Sequence, residues 1–120
     1  VIVYGTLKEG GCLSRYVEDY RISSERIKMK GTLYNINDSF PAFIEKGDDE
    51  IVMEKHKYRE FTNVLRILDN IEQEGEMYIR KKIEHNGDTV QIYIWNESIK
   101  GLKKVESGNW PITYKEEEVR

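Results

Sequence analysis

Cysteine and proline are nearly missing from this chain: Cys12 stands alone among 120 residues, and Pro41 and Pro111 are the two prolines. A single thiol closes no internal disulfide, so the core must hold the fold, as suits a reducing compartment. Histidine is almost as scarce. His56 and His85, with one cysteine, make no spacing that a metal ion would recognise, so no metal site is expected. Basic residues are not in excess, with 19 Lys and Arg against 22 Asp and Glu and a formal charge of -3. That balance lacks the electrostatic footprint of a phosphate-backbone binder and argues against nucleic acid as a partner. No apolar run approaches the length of a membrane span, and no charged-then-apolar leader opens the chain, so the expectation is a cytoplasmic protein without membrane association. Val1 stands where an initiating Met would, and more of the first strand is expected before it.

What is present argues for a folded and very soluble protein. The hydrophobic fraction is 38% and the charged fraction 34%, but eight Tyr, two Trp and three Phe are too many aromatics for disorder. The length suits one core, so a single domain over residues 1–120 is expected, with a charged, solvated tail from about residue 112 that includes Lys115-Glu116-Glu117-Glu118.

The opening Val1-Ile2-Val3-Tyr4-Gly5-Thr6-Leu7 reads as a strand that stops at a bare backbone turn. Gly5 permits positive φ or a close approach to the main chain. If the N–H groups of Gly5, Thr6 and Leu7 face inward, they form a nest of positive partial charge for a carboxylate or phosphate. A plain turn after an edge strand fits the same residues. From Lys8 to Asp19, Leu13, Tyr16 and Val17 share one helical face, predicting a short, imperfect helix whose start Gly10-Gly11 weakens.

Ile27 to Ile36 reads as a strand closing in the polar turn Asn35-Ile36-Asn37-Asp38-Ser39. Phe40 to Ile44 resumes as a short extended piece, and Pro41, lacking a donor, belongs at an edge, a bulge or a pocket rim. Gly47-Asp48-Asp49 marks a turn before a further strand from Ile51 into Glu54-Lys55-His56-Lys57. The firmest helix runs from about Arg59 to Gln73, with Phe61, Val64, Leu65, Leu68 and Ile71 at offsets of three and four and Gly75 as its terminator. Met77 to Glu84 and Thr89 to Trp95, joined by Asn86-Gly87, give a strong hairpin signal. Several strands with few helices predict an α+β fold, a mainly antiparallel sheet or small β-barrel flanked by helices.

Glu72 interrupts the helix pattern. It lies four residues after Leu68, seven after Leu65 and eleven after Phe61, within the apolar stripe. A carboxylate there is paired, protonated or open to a pocket, unless the helix frays first and Glu72 simply reaches water. Burial and the helix C-terminus would both raise its pKa. Asp69 falls toward the edge of the stripe and Asn70 on the solvent face. Tyr78 and Arg80 share one side of the returning strand and could supply a phenol and a guanidinium to one cleft, or serve only as core and ion-pair residues.

Tyr4-Gly5-Thr6-Leu7-Lys8 with Gly10, Leu68-Asp69-Asn70-Ile71-Glu72, Tyr78-Ile79-Arg80, and the weaker Ile92-Tyr93-Ile94-Trp95 and Ser107-Gly108-Asn109-Trp110 occur here in the order of one family. The chain resembles the gamma-glutamylcyclotransferase-like family, in particular its gamma-glutamylamine cyclotransferase and avirulence-induced-protein-like branch. The resemblance implies a small barrel flanked by helices, no metal or organic cofactor, and release of an amine from a small-molecule gamma-glutamyl substrate as 5-oxoproline forms. It implies Glu72 as general acid/base, the loop Tyr4, Gly5, Thr6 and Leu7 holding the glutamyl head group, and Tyr78 lining the same cavity. One position departs from the pattern. Where the family often has Val-x-Gly-Glu, this chain has Ile51-Val52-Met53-Glu54, and Met53 is expected to alter access or pocket width. A non-catalytic metabolite-binding module of the same fold, or an interaction domain using the charged stretch Lys55 to Glu60, are the other readings. The leaving amine and the oligomeric state are left open.

Overall fold

A computed structural model of the chain describes residues 1–111. The charged tail expected from about residue 112 lies outside them. The elements are β1 (Ile2–Val3), two single-turn 3₁₀ segments (Ser14–Tyr16 and Glu18–Tyr20), β2 (Arg21–Ile36), β3 (Phe40–Tyr58), α1 (Phe61–Glu72), β4 (Tyr78–His85), β5 (Asp88–Trp95) and β6 (Lys103–Lys104). The strands form one sheet in the order β4-β5-β1-β3-β2-β6. Every neighbour pair is antiparallel except β1 with β5. The result is an α+β fold, a curled, half-barrel sheet with one α-helix among the described residues. Among the described residues, no helix is long and apolar enough to cross a membrane.

The sheet is buried on both faces around β1, and alternation along the strand distributes the side chains. Ile2 and Tyr4 join one core cluster with Leu33, Phe43, Ile51 and Ile92. Val1 and Val3 join a second, with Leu7, Val64, Leu68, Tyr78 and Tyr93, which packs α1 against the sheet. This two-sided burial explains why the opening residues are uniformly apolar, not alternating with polar ones.

Three expectations are corrected. Lys8 to Asp19 is not an α-helix: its N–H groups close onto carbonyls three residues back, Gly11 onto Lys8, Ser14 onto Gly11, Val17 onto Ser14 and Tyr20 onto Val17. That is the tighter 3₁₀ pattern, and it sustains only single turns. Secondly, the turn at Gly47-Asp48-Asp49 does not divide two strands. β3 runs through it, with a register shift that pairs Thr32 with Ile44 and Gly31 with Asp49. Gly47 takes a φ of 107°, and Thr32 Oγ1 donates to the Lys46 carbonyl at 2.7 Å, which holds the bulge without ending the strand. Thirdly, α1 is terminated by Gln73, not Gly75. Gln73 adopts the left-handed conformation (φ 50°), and Glu74 N–H closes onto the Asp69 carbonyl at 3.0 Å.

The Asn86-Gly87 hairpin forms as expected, both residues at positive φ (49° and 84°) between β4 and β5. The Asn35 to Ser39 turn also forms, with Asn37 and Asp38 left-handed.

Candidate active site

β1 delivers the Tyr4–Leu7 loop to the end of α1, and a cavity of about 280 Å³ lies between them. Tyr4, Gly5, Thr6, Leu7, Glu72 and Tyr78 all line it. Pro41, Phe40 and Tyr93 complete much of the remaining wall.

Each wall is fixed by a specific contact. The Tyr4 hydroxyl donates to the Tyr93 carbonyl at 2.6 Å, and its ring packs against Phe43 with centroids 5.5 Å apart. The Tyr78 hydroxyl donates to the Pro41 carbonyl at 2.6 Å, while its ring meets Trp95 edge-on at 5.3 Å. Pro41 is paired with Asn35 on the β2 side, and β1 pairs with β3 only near Lys55 and Glu54, so the other side of β3 at Pro41 faces the cavity. A residue without an N–H suits that rim.

Gly5 is required for a different reason from the one its sequence context suggested. It does not adopt positive φ, but a Cβ there would overlap the Pro41 ring. Close packing of the loop on the rim is what excludes a side chain. Among the described residues, the N–H groups of Gly5, Thr6 and Leu7 have no hydrogen-bond acceptor.

Glu72 is the last residue of α1, and the helix does not fray before it. Val64 and Leu68 of the same stripe are buried in the core, so the stripe carries Glu72 to the cavity wall. Its carboxylate has no hydrogen-bond or ion-pair partner among the described residues. Burial pushes its pKa from 4.5 up to about 7. Burial also raises the Tyr4 and Tyr78 phenols well above their ordinary value, and each feels the Glu72 charge in addition. An acid that titrates near neutrality and two phenols that stay protonated thus share one small space, walled in part by the loop whose Gly5, Thr6 and Leu7 N–H groups are unpaired among the described residues.

Arg80 is not part of it. Although it follows Tyr78 on the same side of β4, its guanidinium is taken by Asp69, through Nε to Oδ1 at 2.9 Å and Nη2 to Oδ2 at 3.2 Å. Nη1 reaches Gln91 Oε1 at 3.3 Å. The Tyr93 hydroxyl donates to Asp69 Oδ1 at 2.6 Å, so Asp69 is a structural anchor that ties α1 to β4 and β5. Sequence reasoning missed Tyr93 as a cavity residue. No local signal marks it, since its neighbours in β5 are equally apolar.

Met53 does not line the cavity. It is fully buried in the opposite core cluster, so it leaves the pocket width untouched. Of the charged stretch Lys55 to Glu60, Lys57, Arg59 and Glu60 are exposed, while its first two residues are not. Lys55 is buried and pairs with Asp88 at 2.7 Å, and His56 is buried between the Tyr58 hydroxyl at 2.8 Å and Glu54 at 2.9 Å.

Lys8 is also buried. Its Nζ donates to Asn109 Oδ1 and to the Trp110 carbonyl, both at 2.7 Å, and so fastens the site loop to the closing segment.

The fold is shared with solved structures. An uncharacterized protein of Pyrococcus horikoshii superposes with a TM-score of 0.69 at 20% identity, over 99% of this chain and 92% of that one. Protein ytfP of Escherichia coli gives 0.67 at 23% identity, over 92% and 94%. In sequence, the chain is 30% identical over 111 residues to a Vibrio cholerae protein named "Putative gamma-glutamylcyclotransferase", covering 92% of this chain and 93% of that one. The family model "Gamma-glutamyl cyclotransferase, AIG2-like" matches residues 1–111, and the chain belongs to that family.

Proposed function

We propose that this protein cleaves a gamma-glutamylamine or a related small gamma-glutamyl amide, releasing the amine and 5-oxoproline, with Glu72 as general acid/base. The observation that carries this reading is an unpartnered carboxylate, titrating near pH 7, on the wall of a cavity that suits a glutamyl head group. Ionised Glu72 takes a proton from the substrate α-amine as its nitrogen attacks the γ-carbonyl carbon. A new C–N bond closes the five-membered ring, the carbonyl oxygen becomes an oxyanion, and the protonated Glu72 returns its proton to the departing nitrogen as the old C–N bond breaks. Atoms and protons balance, and Glu72 ends as it began.

The free N–H groups of Gly5, Thr6 and Leu7 are suited to the α-carboxylate or to the developing oxyanion. Tyr4 and Tyr78, held rigid through Tyr93 and Pro41, shape the wall that keeps the substrate curled. Curling supplies much of the rate, because well-oriented intramolecular reactions reach effective molarities of about 10⁵ to 10⁸ M. The test is Glu72→Gln, with 5-oxoproline followed by mass spectrometry on a panel of gamma-glutamyl amides. The variant is expected to fold and lose turnover. Undiminished product would overturn the role of Glu72, and saturable binding without product in the wild type would make the protein a binding module instead.

A further inference from the structure

A second cleft, of about 560 Å³, adjoins the cavity and shares Thr6, Cys12 and Ser39 with it. Its other side is built by the β2–β3 turn and by the closing segment that Lys8 fastens down. The two spaces adjoin across these shared residues, so the second offers room for the amine portion of a substrate whose glutamyl head fills the first. The floor of the second is apolar at Val105, Trp110 and Pro111. Its polar side chains include Thr6, Asn35, Asp38, Ser39 and Ser107, and Asp38 is the one lining residue with a full charge among those described.

Asp38 is not a loose side chain. Asn35 Nδ2 donates to its Oδ1 at 2.8 Å, and its own N–H donates to Asn35 Oδ1 at 2.7 Å. These reciprocal bonds hold the carboxylate at the cleft and leave Oδ2 without a partner among the described residues. A short apolar floor ending at a fixed negative charge matches a carbon chain that ends in a cation. It opposes a chain that ends in a carboxylate, because like charges repel there.

We propose that this cleft is the leaving-group subsite and that it selects amines carrying a second, cationic nitrogen over those carrying a carboxylate. The proposal rests on the cyclotransferase reading above for its name, but not for its charge preference.

Three gamma-glutamyl amides with the same four-carbon arm separate the possibilities: one ending in an ammonium, one in a methyl group and one in a carboxylate. In the wild-type chain, 5-oxoproline formation is expected to rank them ammonium, methyl, carboxylate, with kcat/KM differing by about two- to fivefold per step, the size that an exposed ion pair supplies. Asp38→Asn should compress the ammonium-to-methyl ratio toward one, and Asp38→Lys should reverse the ammonium-to-carboxylate order. An unchanged order in Asp38→Lys overturns the subsite while product formation upholds the reaction.

A readout without turnover comes from Cys12, the single cysteine, which is exposed and lines both spaces. In Glu72→Gln, the ligand concentration that halves thiol labelling of Cys12 should follow the same ranking. A ranking that persists while the wild type makes no 5-oxoproline upholds the subsite and sinks the cyclotransferase reading. A flat ranking overturns the subsite whether or not product forms.

Discussion

Asp69 and Glu72 lie one turn apart near the end of α1, both partly buried, yet their surroundings differ completely. Asp69 is bound by the Arg80 guanidinium and the Tyr93 hydroxyl, and its charge is fully used in joining α1 to the sheet. Glu72 meets no cation and no donor among the described residues, and burial alone lifts its pKa to about 7. A carboxylate with partners is architecture. One largely withdrawn from water without partners is maintained at a cost, and such a group is where chemistry is expected. The β3 stretch extends the contrast: Lys55 and His56 are buried and charged or polar, but each is paired, so that stretch belongs with Asp69 and not with Glu72.

The largest effect is expected from Glu72→Gln on turnover. Removing a general acid/base costs about 10²- to 10⁴-fold in rate. In the wild type, kcat/KM should fall as pH drops below about 7, because the protonated carboxyl cannot take the α-amine proton. The comparison breaks if Asp69→Asn, measured on folded protein, costs as much turnover as Glu72→Gln.

How far the contrast was legible in the sequence depends on range. Glu72 stood out because helical periodicity places it on the apolar stripe from five or six neighbours alone, and the hairpin at Asn86-Gly87 was equally local. Asp69 and Arg80 could not be matched that way, since their pairing depends on where β4 returns beside α1. Lys55 read as solvent-facing because its partner, Asp88, comes from a hairpin 33 residues away. The bulge at Gly47 carried a turn signal indistinguishable from a chain reversal, and only pairing with β2 kept the strand going. Tyr93 became a cavity wall through tertiary placement, with nothing in its own neighbourhood to announce it, whereas the missing N–H of Pro41 had already pointed to an edge, a bulge or a pocket rim.

Stability against pH sharpens the comparison next. Between pH 4.5 and about 7, folded Glu72 keeps a proton that the unfolded chain has lost. The unfolded state therefore binds fewer protons, and stability falls as pH rises through that window. The contribution is present below about pH 4.5 and gone above about pH 7, and it amounts to on the order of 1 to 3 kcal/mol. Glu72→Gln removes the titration, so its stability relative to wild type should improve from pH 5 to pH 8 in urea unfolding. A constant difference across that range would mean that Glu72 is as well solvated as an ordinary surface glutamate.

Asp69→Ala should show the opposite balance. It strips the Arg80 guanidinium and the Tyr93 hydroxyl of their common acceptor and costs about 1 to 3 kcal/mol. Turnover per folded molecule should drop less than tenfold, and the stability loss should not grow or shrink between pH 5 and pH 8 through Glu72. Loss of turnover without loss of stability would move Asp69 into the same class as Glu72.

Tyr78→Phe has the smallest expected effect and tests where the two regions meet. The Tyr78 ring belongs to the core cluster beneath α1, while its hydroxyl bonds the Pro41 carbonyl on the cavity rim. Phenylalanine keeps the ring and its edge-on contact with Trp95, so packing survives and only the 2.6 Å bond is lost. The expected cost is about 1 kcal/mol in stability. Pro41 also bears on the loop through its contact with Gly5, so a rim freed by the variant should loosen head-group binding and raise KM a few-fold with little change in kcat. A drop in kcat with KM unchanged would instead give the phenol a part in the transition state, and would place Tyr78 beside Glu72 and not beside Asp69.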